Sequence, residues 1–202
     1  MFVLKHYQQA TLDQLQAFLE DARFDGAEAA FGQHTPPNAK GLPRRYHAAD
    51  GLPNTPYICL RLPTGGGKTH LSVHAIKIAA QAYLEKDFPF VLLLVPTNAI
   101  RTQTLTTLKN PDHPNRQVLD QAFNGRVLIQ DIGDFTQIRP QDYRDKCVIV
   151  ISTMAALRVD KTEGRKVYAH NEHLEPHFVR VPADTAGLER LDNGDIKYSF
   201  RN

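Results

Sequence analysis

Six consecutive residues, Thr64-Gly65-Gly66-Gly67-Lys68-Thr69, have the types and order needed to hold a chain of phosphates. Glycines let successive backbone N–H groups turn toward one anion, and a helix starting just after them adds the positive end of its dipole. Lys68 brings an ammonium within reach of the β- and γ-phosphates, where it stabilises charge during phosphoryl transfer. The Thr69 hydroxyl is a suitable oxygen ligand for Mg²⁺. The general pattern G-x-x-x-x-G-K-[ST] asks for glycine at position 62, where this chain has Leu62. A surface turn ending by chance in Gly-Lys-Thr is the alternative. Three glycines set between a strand-like and a helix-like segment weigh against it.

Those flanking segments must do the positioning. Residues 57–62 (Y-I-C-L-R-L) predict a buried strand leading into the loop, and residues 68–83 predict the helix leaving it. Residues 90–95 (F-V-L-L-L-V) form the continuous apolar run of a strand covered on both faces of a parallel sheet. Pro96 ends that run, and Thr97 or Asn98 can cap a helix through Ile100, Leu105 and Leu108. A short helix over 118–123, a strand over 126–132 and a buried strand over 147–151 (C-V-I-V-I) follow. Leu12, Leu15, Phe18, Leu19 and Ala22 recur at helical spacing, so residues 7–23 predict an amphipathic helix. The proline- and glycine-rich stretch 32–56 predicts a long loop or insertion. Alternation of strands and helices defines an α/β domain with a parallel sheet and flanking helices.

Ligands of such sheets gather at the carboxyl ends of the strands. Three predicted strand ends here carry the glycine loop, Thr97-Asn98 with Arg101 one turn later, and Ser152-Thr153 ahead of a short helix over 154–158. Short polar side chains, arginine and helix N-termini are common contacts for a nucleic-acid backbone. Each pair alone reads equally well as a helix cap; their convergence is what points to a shared surface.

Other candidates carry less. Asp131 and Asp134 stand at a strand end and could imitate metal-binding carboxylates, but strand-end aspartates are ordinary caps. His70 and His74 have metal-capable i, i+4 spacing without an accompanying acid, and a solvated helix face explains them. His170, His173 and His177 with Glu172 and Glu175 read as a polar loop, and Arg44-Arg45 and Arg165-Lys166 as ordinary surface pairs.

The chain's 202 residues are 42% hydrophobic and 23% charged, as in a globular protein with one sizeable core. A formal net charge of +2 neither demands nor excludes nucleic acid. Cys59 and Cys147 lie in apolar runs, predicting buried reduced thiols and a cytoplasmic location. No apolar run reaches membrane-spanning length.

Residues 62–69 (L-P-T-G-G-G-K-T) resemble motif I of superfamily-two helicases, and residues 96–103 (P-T-N-A-I-R-T-Q) resemble their motif Ia. Residues 151–157 (I-S-T-M-A-A-L) fall where motif Ib does, and Lys5-His6-Tyr7-Gln8 resembles the L-R-x-Y-Q element ahead of motif I. The likeness is to DEAD/DEAH-type helicases, and most to the motor subunit of type III restriction enzymes. It implies a RecA-like P-loop NTPase fold that binds ATP and Mg²⁺, with Gln8 reading the adenine edge by its amide. It also implies a nucleic-acid partner, double-stranded DNA foremost, with a modification and specificity subunit as protein partner. The sequence departs from the family in carrying no Asp-Glu-x-His box, the motif that holds Mg²⁺ and orients the attacking water. The expectation is therefore that residues 1–158 are the N-terminal part of the ATP-binding domain, incomplete at its C-terminal side. Residues 159–202, with a predicted hairpin turned at Asn193-Gly194, are an insertion or extension ahead of the acidic motif. Two other classes stay open: a non-catalytic nucleotide- or DNA-binding fragment, and a small-molecule P-loop kinase.

Overall fold

Helical periodicity in the first quarter of the chain builds α1 (His6–Asp25), whose buried stripe is Leu12, Leu15, Phe18, Leu19 and Ala22. The computed structural model describes residues 3–157. Gly26, at φ +86°, breaks the helix and starts α2 (Ala27–His34) in a conformation that a side chain disfavours. The long loop therefore begins at Thr35, three residues later than expected at position 32, because the helical run A-E-A-A-F continues through Gly32 to His34. After the glycine loop, α3 (Lys68–Ala79) runs on into one wider π turn, Ala80–Leu84.

The described residues form two compact units. One takes in residues 3–87 and Gln117–Ala122, the other Phe88–Arg116 and residues 123–157. The core of the first joins Leu15, Phe18, Leu19, Ala22, Ala30 and Ala82, with Phe31, Ile58, Ala75 and Ile78 packed around them. It is a core between helices.

The second unit holds the sheet. Strands β1 (Phe90–Val95), β2 (Val127–Asp131) and β3 (Cys147–Thr153) are all parallel, in the order β1-β3-β2. Between them in the chain come α4 (Asn98–Lys109), α5 (Pro114–Ala122), of which Gln117–Ala122 counts with the first unit, the 3₁₀ turn Ile132–Gln137 and α6 (Pro140–Asp145); α7 (Met154–Leu157) follows β3. Central β3 is buried at all seven positions, as a continuous apolar run in a parallel sheet should be. Ile132, Ile138, Val148 and Val150 form the second core, covered by Leu128, Phe135, Tyr143 and Leu157.

Two expectations fail. The segment 57–62 is not a strand: Tyr57 and Leu60 are exposed, and the Tyr57 N–H donates to the Tyr46 hydroxyl (2.7 Å) instead of to a neighbouring strand. A strand exists only where a partner accepts its ladder bonds, and none of the described strands pairs with this one. Strand β1 is present but not covered on both faces. It is an edge strand of the described sheet, and Phe90, Leu92 and Leu94 are each more than two-fifths exposed. The predicted hairpin at Asn193-Gly194 and the histidines His170, His173 and His177 lie outside the described residues.

Candidate functional site

The glycine loop gets its shape from tight backbone approach. A β-carbon on Gly66 would lie 2.9 Å from the Pro63 carbonyl oxygen, to which the Gly66 N–H also donates (3.0 Å). Gly67 sits at φ +80°, and a β-carbon there would meet Gln8 Nε2 at 2.5 Å. Neither position admits a side chain without rearrangement, so glycine at these two positions is a steric requirement of this turn. Gly67 is also the N-cap of α3 and offers no side chain to its first turn, so the N–H groups that begin the helix have no side-chain cap. Such uncapped amides, with the dipole behind them, are what an anion needs.

Thr64, Gly65, Lys68 and Thr69 are exposed along this turn. Lys68 is folded back on the loop, where its Nζ donates to the carbonyls of Leu62 (3.0 Å) and Pro63 (2.8 Å). Both acceptors are neutral, and a phosphate oxygen is a stronger acceptor for an ammonium, so the exchange on binding is favourable.

Gln8 lies beside this loop, buried at 7% exposure. Its Nε2 donates to the Gly66 carbonyl (3.0 Å), and its Oε1 accepts the Lys5 N–H (2.9 Å), the backward reach of an N3 glutamine in a capping box. One N–H and one lone pair of the amide remain for a base edge. Beside it the Tyr7 hydroxyl donates to the same carbonyl (3.1 Å). The sequence places Tyr7 in the element ahead of the loop but assigns it no role; its hydroxyl contact to the loop appears only in the tertiary structure.

The other predicted residues share one edge in the second unit. The parallel register sets Leu94 against Ser152 and Val95 against Thr153, which brings Thr97 and Asn98 to the carboxyl edge where β3 ends. Thr97 and Asn98 are exposed, and the Thr97 hydroxyl caps α4 by accepting the Ile100 N–H (3.3 Å). Ser152 and Thr153 are buried. The Ser152 hydroxyl donates to the Thr153 carbonyl (3.2 Å), and the Thr153 hydroxyl accepts the Ala156 N–H (3.3 Å) at the start of α7. The Arg101 guanidinium is paired with Asp131, whose other oxygen accepts the Gly133 N–H (2.7 Å). Asp131 is thus a cap and a counter-ion.

Among the described residues no strand leads into the glycine loop, which therefore does not open from a strand end of the described sheet as Thr97-Asn98 and Ser152-Thr153 do. His70 and His74 are not on a freely solvated face. Their rings meet edge to face at 4.9 Å, and burial, aided by the neighbouring His70, holds the His74 imidazole below its ordinary pKa. Cys59, expected to be buried, is exposed; Cys147 is fully buried, and burial pushes its thiol up to about 12. Among the described residues no cluster of three or more His, Cys, Asp or Glu could hold a metal ion, and no helix is long and apolar enough to cross a membrane.

A parallel α/β sheet with flanking helices and a Gly-Gly-Gly-Lys-Thr turn opening a helix define part of a RecA-like P-loop domain. Residues 1–180 match the family described as type III restriction enzyme, res subunit, and the chain belongs to that family. This is a family of helicase-like, ATP-dependent motor domains whose members generally bind ATP with Mg²⁺. Comparisons with curated proteins and with solved structures gave no match.

Proposed function

We propose that this chain supplies the ATP-binding part of a DNA helicase or translocase of the type III restriction kind. The observation that carries the reading is the glycine loop, whose two crowded glycines and uncapped helix start adjoin a lysine held by two neutral carbonyls. The residues present fit ATP and Mg²⁺: Thr64 to Gly67 would line the phosphates, Lys68 would neutralise the β/γ charge, and the Thr69 hydroxyl would ligate the ion. Mg²⁺ held there would supply charge that neutralises the phosphates as the bond breaks. Gln8 offers its remaining donor and acceptor to adenine.

Thr97 and Asn98, exposed at the start of α4, are the contacts we assign to the nucleic-acid backbone. Arg101, Ser152 and Thr153 act in the same interface from behind. Arg101 holds α4 to the end of β2, and the Ser152 and Thr153 hydroxyls shape the end of β3. Double-stranded DNA is the proposed substrate, a modification and specificity subunit the proposed protein partner, and the cytoplasm the proposed location.

The test is ATP hydrolysis by the full-length protein with no nucleic acid, with single-stranded DNA and with double-stranded DNA. Lys68→Ala is expected to lower DNA-stimulated turnover by about 10²-fold or more, the size of effect seen when one donor to developing charge is removed. Undiminished turnover in that variant sinks the proposal. Transfer of phosphate to a small acceptor, indifferent to DNA, would favour a kinase instead.

A further inference from the structure

The glycine loop is held from outside by the first turn of α1. The Gly66 carbonyl accepts one hydrogen bond from the Tyr7 hydroxyl (3.1 Å) and one from Gln8 Nε2 (3.0 Å), which occupies both of its lone pairs. In a trans peptide the C=O and the following N–H point to opposite sides. Drawing the Gly66 carbonyl toward α1 therefore turns the Gly67 N–H away from α1. That amide finds no backbone acceptor among the described residues, and it adjoins the uncapped start of α3.

The two donors differ in kind. Gln8 is buried and also tied to the Lys5 N–H, so it would hold the start of α1 whether or not the loop bound anything. Tyr7 is 40% exposed and stands outside the residues that make up the first unit's core, and its hydroxyl donates to the loop. A tyrosine needed only for its ring gains nothing from that bond. A tyrosine needed to stack on a base would not require a hydroxyl at all.

The geometry points to Tyr7 as a positioning residue for the phosphate chain, one that orients the Gly66–Gly67 peptide and leaves the base untouched. This rests on reading the loop as an ATP site. With the peptide held, the Gly67 N–H is oriented before the ligand arrives; without the hydroxyl, part of the binding energy goes into ordering it.

The test uses the full-length protein with Tyr7→Phe and Tyr7→Ala. Affinities for ATP and for inorganic tripolyphosphate, which has no base, are measured in the presence of Mg²⁺, together with kcat, KM and the unfolding midpoint. Both variants are expected to bind both probes about three- to tenfold more weakly, the reach of one hydrogen bond's net contribution. KM for ATP should rise by the same factor with kcat held, as for an interaction equal in ground and transition states. Unchanged tripolyphosphate affinity in Tyr7→Phe overturns the inference. So does a pattern in which Tyr7→Phe keeps ATP affinity and Tyr7→Ala loses it, since the ring would then be stacking on the base. A fall in kcat at constant KM, tracking a lower unfolding midpoint, overturns it in favour of a purely structural role. A wild-type protein that binds neither probe removes the ATP-site reading itself, and the inference with it.

Discussion

Lys68 and Cys147 show how position within the fold sets a side chain's chemistry. Lys68 is exposed and satisfied by two neutral carbonyls, so its charge is ready for a stronger acceptor. Cys147 opens the central strand at zero exposure, and its raised pKa leaves almost no thiolate at neutral pH. Cys59 is exposed on the segment before the glycine loop. Reaction of the native protein with a chromogenic thiol reagent at pH 8 is therefore expected to label Cys59 quickly. Cys147 should react only after denaturant is added; equal labelling rates for the two would contradict the burial of β3. Local apolarity suggested that both thiols were buried, and it failed at Cys59. An apolar run becomes covered only when a partner strand or helix lies on it, and residues 57–62 have no strand partner among the described residues.

At the scale of elements, periodicity and caps were legible. The amphipathic stripe of α1, the start of α3 after Gly67, the Thr97 cap of α4 and the apolar runs of all three strands were each visible as local patterns. Less visible were α2, α6 and the 3₁₀ turn at Ile132–Gln137, since these short elements lack two full turns of apolar spacing. The pairing of Arg101 with Asp131 could not be read either, because thirty residues separate the partners. Both side chains are only about a fifth to a quarter exposed. Removing one charge leaves the other poorly solvated, so Asp131→Asn is expected to lower stability by about 1–3 kcal/mol, the range for leaving a buried polar partner unsatisfied. A double-mutant cycle with Arg101→Ala, followed by urea unfolding, measures the coupling directly. Strictly additive losses would mean that the pair contributes nothing as a pair, and would return Arg101 to the set of free phosphate contacts.

For the molecule as a whole, stability should depend on pH through His74. Its folded-state pKa lies below the ordinary value of 6.5, first because burial penalises the charged ring and second because of His70. The unfolded chain therefore binds the proton more readily, so stability is intact above pH 6.5 and declines as pH falls below it toward the folded-state value. Urea midpoints at pH 7.5 and 5.5 should differ more in the wild type than in His74→Gln. An identical pH dependence in the two proteins would assign the acid sensitivity to other groups.

The sequence by itself determined the glycine turn, its lysine and threonine, and the helix that follows, because phosphate-loop geometry is local: contiguous residues supply the amides, the dipole and the charge. It also determined the class of fold, through strand-like and helix-like periods that each segment carries alone. Tertiary structure decided which segments found partners. Among the described strands it made β3 the buried centre of the sheet, left β1 at an edge, and kept residues 57–62 out of the ladder. It also turned Arg101 toward Asp131, buried Ser152 and Thr153, and placed Tyr7 and Gln8 on the Gly66 carbonyl. These outcomes rest on contacts between residues far apart in the chain. No short window of sequence holds both partners of a strand pair, a salt bridge or a loop clamp.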